Sequence, residues 1–143
     1  MKSATRQHLV SLLDDYRKQQ TVKEANVKAC HQRLLQAVSD NVFQEATGAL
    51  GRVNHQASVD YRTAVEPYPW ATLSTTSPAG YSSSLTFACE PRGLVWYKSV
   101  SGPSPPRGAD SSGVLNAGSD IEQKAVEFIQ EVLEADVLAR LTP

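Results

Sequence analysis

Apolar residues in the first third of the chain recur at alternating spacings of four and three: Leu9, Leu13 and Tyr16, then Val27, Cys30, Leu34 and Ala37. That is the repeat of one helix face. Gln20 and Lys23 occupy the same stripe in between, so it is apolar at both ends and polar at its waist. Leu12, Leu35, Val38 and Phe43 widen it at the ends. Neither glycine nor proline occurs before Gly48, where a C-terminal helix stop is expected. The pattern predicts a helical segment over residues 1–50.

Thr21-Val22-Lys23-Glu24 has the form of a capping box, which would start a second helix at the waist. No turn-forming residue separates Gln20 from Thr21, so a sharp reversal has no room, and a long or kinked helix is preferred to a hairpin. A continuous helix of roughly 40 residues runs ~60 Å. A 143-residue globule has a radius of gyration of only ~14–15 Å. The helix therefore kinks near residue 20, projects beyond its own domain, or is covered by a second chain. The seam of Leu9, Leu13, Tyr16, Val27 and Leu34 then reads as a homodimer interface, two-fold dimers being the commonest soluble oligomers.

Beyond Gly51 the period changes to two. Val59, Tyr61, Thr63 and Val65 alternate with Asp60, Arg62 and Glu66 in a first strand-like run, closed by Pro67-Tyr68-Pro69. A second run covers residues 70–76 and ends at Ser77-Pro78-Ala79-Gly80, a strong turn sequence. A third covers 81–89, with Tyr81, Ser83, Leu85, Phe87 and Cys89 on one face, and Glu90-Pro91-Arg92-Gly93 turns into a fourth at 94–100. Short runs joined by tight turns make antiparallel neighbours, so residues 53–100 read as a four-stranded meander.

Residues 101–113 hold three prolines, three glycines and four serines. Such a segment buries too little to offset ~1–2 kcal/mol per residue of backbone ordering, so residues 101–118 read as a mobile loop, readily nicked by proteases and tolerant of deletion. Ser119-Asp120-Ile121-Glu122 is a second capping box, here directly before the stripe Ile121, Ala125, Phe128, Ile129, Val132 and Leu133, which continues toward Leu138 and Leu141. A helix over 119–141 follows. The expected fold is a single α+β domain: a long N-terminal helix, a four-stranded antiparallel β-meander and a C-terminal helix packed on one sheet face.

Composition excludes more than it selects. Apolar residues at 41% and charged residues at 20% are those of an ordinary globular chain, and a net charge of −1 gives no bulk attraction to nucleic acid or acidic lipid. Basic residues do gather at Arg17, Lys18, Lys23, Lys28 and Arg33, but Asp14, Asp15 and Glu24 dilute them and no aromatic interleaves to stack a base. No apolar run has the length of a membrane span, and residues 1–11 lack the apolar core of a secretory signal. A cytoplasmic protein is expected. In that compartment Cys30 and Cys89 read as buried reduced thiols, although a disulfide between them would close a long loop.

Chemistry is sparse. A histidine mechanism has only His8, His31 and His55 to use. Cys30 and His31 are neighbours, but adjacent helical side chains diverge by about 100° and cannot act as a dyad, leaving His31 on a solvated face. Neither Cys-x-x-Cys nor His-x-x-x-His occurs, so neither metal nor cofactor is expected. Gly48-Ala49-Leu50-Gly51 has the GxxG form of some RNA clamps, yet its place after a helix is explained by helix termination.

Three functional classes follow. The first is a non-enzymatic interaction protein (adaptor, regulator or assembly factor) working through its long helix or a sheet face. The alternative is a small-ligand module with a pocket between sheet and helix lined by Tyr61, Trp70, Tyr81 and Trp96. An enzyme without a visible motif comes third, with His55 and Asp60 as its polar pair.

Overall fold

The helical stripe and the strand alternation both persist in the computed structural model, which describes residues 1–62, 69–103, 110–115 and 121–141. Helix α1 spans Ser3–Ser39 without interruption, about 55 Å of helix. Thr21 does not cap a second helix, because its hydroxyl donates to the Arg17 carbonyl oxygen one turn back, at 3.0 Å. The break comes instead at Asp40 and Asn41. Asn41 has φ 60°, a left-handed conformation that asparagine tolerates better than most residues, and its carbonyl accepts from Glu45 to begin the next helix.

Helix α2 spans Val42–Gly51 and buries Phe43, Ala46 and Leu50. The expected stop at Gly48 is therefore displaced: Gly48 lies within α2, and the helix closes at Gly51 through amide bonds from Arg52 to Gly48 and from His55 to Leu50. The helical segment is two helices, not one continuous run to residue 50.

The sheet has five strands in sequential order, each antiparallel to the next: β1 Gln56–Arg62, β2 Trp70–Thr76, β3 Ser82–Glu90, β4 Gly93–Ser99 and β5 Asp110–Val114. The fifth corrects the expectation of four. Residues 110–113 belong to an edge strand in register with β4, Ser99 facing Asp110 and Trp96 facing Gly113. Deleting them would remove a strand. Residues 104–109 and 116–118 of the expected loop, like the Ser119–Asp120 cap, lie outside the described residues.

Both turn sequences act as turns. Gly80 takes φ +94° as its amide bonds back to Ser77, and Gly93 takes φ +128° opposite Glu90. Strand alternation divides the sheet into two faces, although Val95 is buried on the outer one in the row of Trp70 and Ala88. One face carries Ala71, Leu73, Leu85, Phe87, Cys89 and Leu94 into the core; the other presents Thr72, Ser74, Ser84, Thr86 and Tyr97 away from the helices, with Thr72 and Thr86 hydroxyls 2.8 Å apart.

The C-terminal third of α1, all of α2 and helix α3 (Ile121–Leu141) cover the apolar face. Their buried residues Leu34, Phe43, Leu50, Phe128 and Val132 join those of the sheet in one core. The structure is thus an α+β fold with its helices on one sheet face.

Candidate functional site

Only the C-terminal third of α1 belongs to that core. From Val27 onward the stripe faces the sheet: Val27, Cys30, Leu34 and Ala37 are buried. The last tie before the helix leaves the body is the Asn26 side-chain amide, which donates to the Pro91 carbonyl oxygen in the β3–β4 turn at 3.2 Å. Residues 1–26 are all exposed. Leu9 is 43%, Leu12 51%, Leu13 47% and Tyr16 63% accessible, and Val22 is open as well.

This geometry divides the expected dimer seam. Leu9, Leu13 and Tyr16 lie on the projecting part. Val27 at 7% and Leu34 at 0% exposure lie inside the protein's own core and cannot meet a second chain. The physical reason is that sheet and partner would use the same helical stripe, and the sheet has taken its C-terminal half.

The projecting part has little local support. Lys2 makes no side-chain cap, the first turn contains no acidic residue, and the segment's own contacts amount to polar links such as Gln20 to Glu24 at 3.4 Å. What it offers is an apolar ridge flanked by charge.

The four aromatics of the expected pocket do not converge. Tyr61 borders a groove of about 350 Å³ between α2 and β1, together with Val38, Phe43, Ala57 and Val59. Trp70 sits on the opposite sheet face, in the row of Arg62, Ala88 and Val95. Tyr81 lies at the far end of the sheet beside the Ser77–Gly80 turn. Trp96 faces α3, where Lys124 Nζ rests 3.6 Å from its ring centroid and Gly113 leaves room for the ring. Strand alternation separates side chains that sequence places close together.

His55 and Asp60 also part, Asp60 being exposed on β1 while His55 is buried. The partner that sequence reading missed is Asp136 on α3: its Oδ2 lies 3.6 Å from His55 Nε2 and 3.1 Å from Arg140 Nη2. The His55 side chain has no exposed surface and lies where the α2–β1 junction meets α3, with neither ring nitrogen hydrogen-bonded among the described residues. No sequence signal could have linked residues 55 and 136. His31, expected on a solvated face, is half-buried.

Cys30 and Cys89 are both buried, free thiols, one on α1 and one on β3. Burial, reinforced by the Cys30 thiol, pushes Cys89 up to about 12; burial also raises Cys30, against a smaller opposing effect of Arg33. Neither is activated as a nucleophile.

A second apolar surface lies along α3. Val126, Ile129, Leu133 and Val137 line an open concavity of about 670 Å³, bordered by Gln130 and Glu134. Val126 is 59% and Val137 55% exposed. The α3 stripe is thus wider than the face it turns to the sheet, which takes Ile121, Ala125, Phe128, Val132 and Ala135.

Among the described residues no group of three His, Cys, Asp or Glu is placed to hold a metal ion, and no helix is long and apolar enough to cross a membrane. Compared with protein-family models, with curated proteins and with solved structures, the chain matches none of them.

Proposed function

We propose that this is a non-enzymatic interaction protein, an adaptor, regulator or assembly factor, whose working surface is the projecting part of α1 and whose first partner is a second copy of itself. One observation carries the reading: Leu9, Leu12, Leu13 and Tyr16 form an exposed ridge on residues 3–25 of the helix, all of which are exposed among the described residues. Most helical stability in proteins comes from packing an amphipathic face. Covering the ridge supplies that packing. A cytoplasmic setting is part of the same proposal, supported by the unbonded state of two adjacent buried thiols.

Light scattering coupled to gel filtration at tens of micromolar tests it. A dimer mass is expected; a monomer mass across that range rejects self-association. A second reading, a small-ligand module, rests on the α2–β1 groove, whose volume is at the small end of ligand sites and in which Tyr61 alone of the four aromatics takes part. Quenching of tyrosine fluorescence by a small apolar probe, lost in Tyr61→Ala, would favour it.

A further inference from the structure

Among the described residues, the projecting ridge and the α3 concavity are both open apolar surfaces on helices, and they suit each other. We infer that the two are halves of one interface: in the dimer proposed above, on which this inference rests, the N-terminal half of α1 from each copy seats along α3 of the other.

Three features support the pairing. The ridge repeats at Leu9, Leu12/Leu13 and Tyr16, and the concavity at Val126, Ile129, Leu133 and Val137, the three-and-four spacing that lets two helices pack ridge into groove. The charges are opposite. Residues 2–20 carry four basic and two acidic side chains, whereas α3 carries five acidic. Of these Glu131 is paired with Lys98, Glu127 with Lys124 and Asp136 with Arg140, so Glu122 and Glu134 supply its negative charge to a partner. Arg6 and Arg17 flank the ridge by helical spacing, and Glu134 borders the concavity. Reach is the third. Leu13 stands thirteen positions, about 20 Å of helix, beyond the Asn26 tie, so it cannot fold back on its own α3.

The competing arrangement pairs two α1 ridges with each other. It sets the same net positive segments side by side and leaves both α3 concavities in water. The exchange covers four apolar surfaces with one two-fold operation and matches positive to negative in both contacts.

Cross-linking between separately labelled copies decides it. One preparation carries Leu13→Cys; isotopically labelled preparations carry Ile129→Cys, Leu133→Cys or Val137→Cys, and Ser74→Cys on the outer sheet face is the control. The native thiols are buried, so a short bis-maleimide reports the introduced ones. Mixed copies should give a Leu13-position peptide linked to at least one α3 position, and none to position 74. Cross-links only between two Leu13→Cys chains, or none in a mixture that sediments as a dimer, overturn the exchange while leaving self-association intact. A monomer mass with no cross-link overturns both. Because Leu133 is half-buried, Val137→Cys, 55% exposed, keeps the test valid if Leu133→Cys misfolds. Charge provides an independent check: Arg6→Glu with Arg17→Glu should weaken the dimer at least tenfold, and adding Glu134→Lys should restore at least part of that loss. Failure of that rescue, with each variant folded, also overturns the exchange.

Discussion

Leu13 and Leu34 occupy one helical stripe, yet truncating them to alanine should have opposite consequences. Leu34 has no exposed surface and belongs to the core with Leu73, Phe87 and Phe128. Leu34→Ala loses the transfer free energy of the removed atoms and leaves a cavity, together about 2.7–5 kcal/mol. For a domain of this size that is a fall in Tm of about 10–20 °C. Leu13 has nothing of its own body to lose. It is already 47% exposed, and alanine is at least as good a helix former, so the isolated chain should be unaffected within about 0.5 kcal/mol.

Association is where Leu13 should matter. Covering the open half of one leucine is worth about 1 kcal/mol, and a two-fold dimer covers two, so Leu13→Ala should cost about 2 kcal/mol per dimer. At about 1.4 kcal/mol per decade, Kd rises about 30-fold. Sedimentation equilibrium measures that shift. Urea unfolding at a concentration below Kd measures the fold without the dimer's mass-action contribution. The reasoning fails if Leu34→Ala unfolds within 1 kcal/mol of the parent, or if Leu13→Ala destabilises the dilute chain as much as Leu34→Ala does.

Three further outcomes follow from local geometry. Cys89 and Cys30 should resist thiol reagents in the native state at neutral pH and react on unfolding; because burial raises Cys89 to about 12 from an unfolded value near 9, its contribution to stability is complete below pH 9 and is lost as pH rises from 9 through 12, a slope that Cys89→Ala should lack in pH-dependent urea unfolding. Asn41→Val should cost about 1–2 kcal/mol because a β-branched residue is forced to φ 60°, whereas Asn41→Gly should be close to neutral; denaturant midpoints separate the two. Gly113→Val should cost about 1–3 kcal/mol and alter Trp96 emission, since even a Cβ there comes 3.0 Å from the indole ring; unchanged fluorescence and stability would mean that the ring is free to move aside.

Much of the fold was legible because period carries it. Strand β2 begins and ends where alternation and the flanking prolines place it, at Trp70 and Thr76, and the inward face Ser83, Leu85, Phe87, Cys89 is the one read from spacing. Strand β5 was hidden because Asp110-Ser111-Ser112-Gly113-Val114 has the composition of a loop. It forms because β4 presents an open edge, and Trp96 lies over Gly113, supplying the side chain that the glycine lacks. The Asp40–Asn41 break could have been suspected, asparagine being second only to glycine in left-handed helix ends. The four aromatics were grouped because they crowd one stretch of sequence, but a period of two sends neighbours to opposite faces.

The dimer seam illustrates a different limit. A stripe of apolar side chains states which residues need cover; it does not say what provides it. Between Tyr16 and Val27 the stripe passes through Gln20 and Lys23, and the structure places the edge of the body at Asn26, held to the β3–β4 turn. The polar waist lies where the helix leaves the cover of the sheet. Leucines on both sides share a spacing, but the C-terminal set is packed against the sheet and the N-terminal set stands in water. An uninterrupted apolar stripe would have fitted one continuous partner, such as a coiled-coil strand along the whole helix. Two apolar ends separated by a polar waist fit two different covers, and α3 carries an open face whose spacing and charge suit the second.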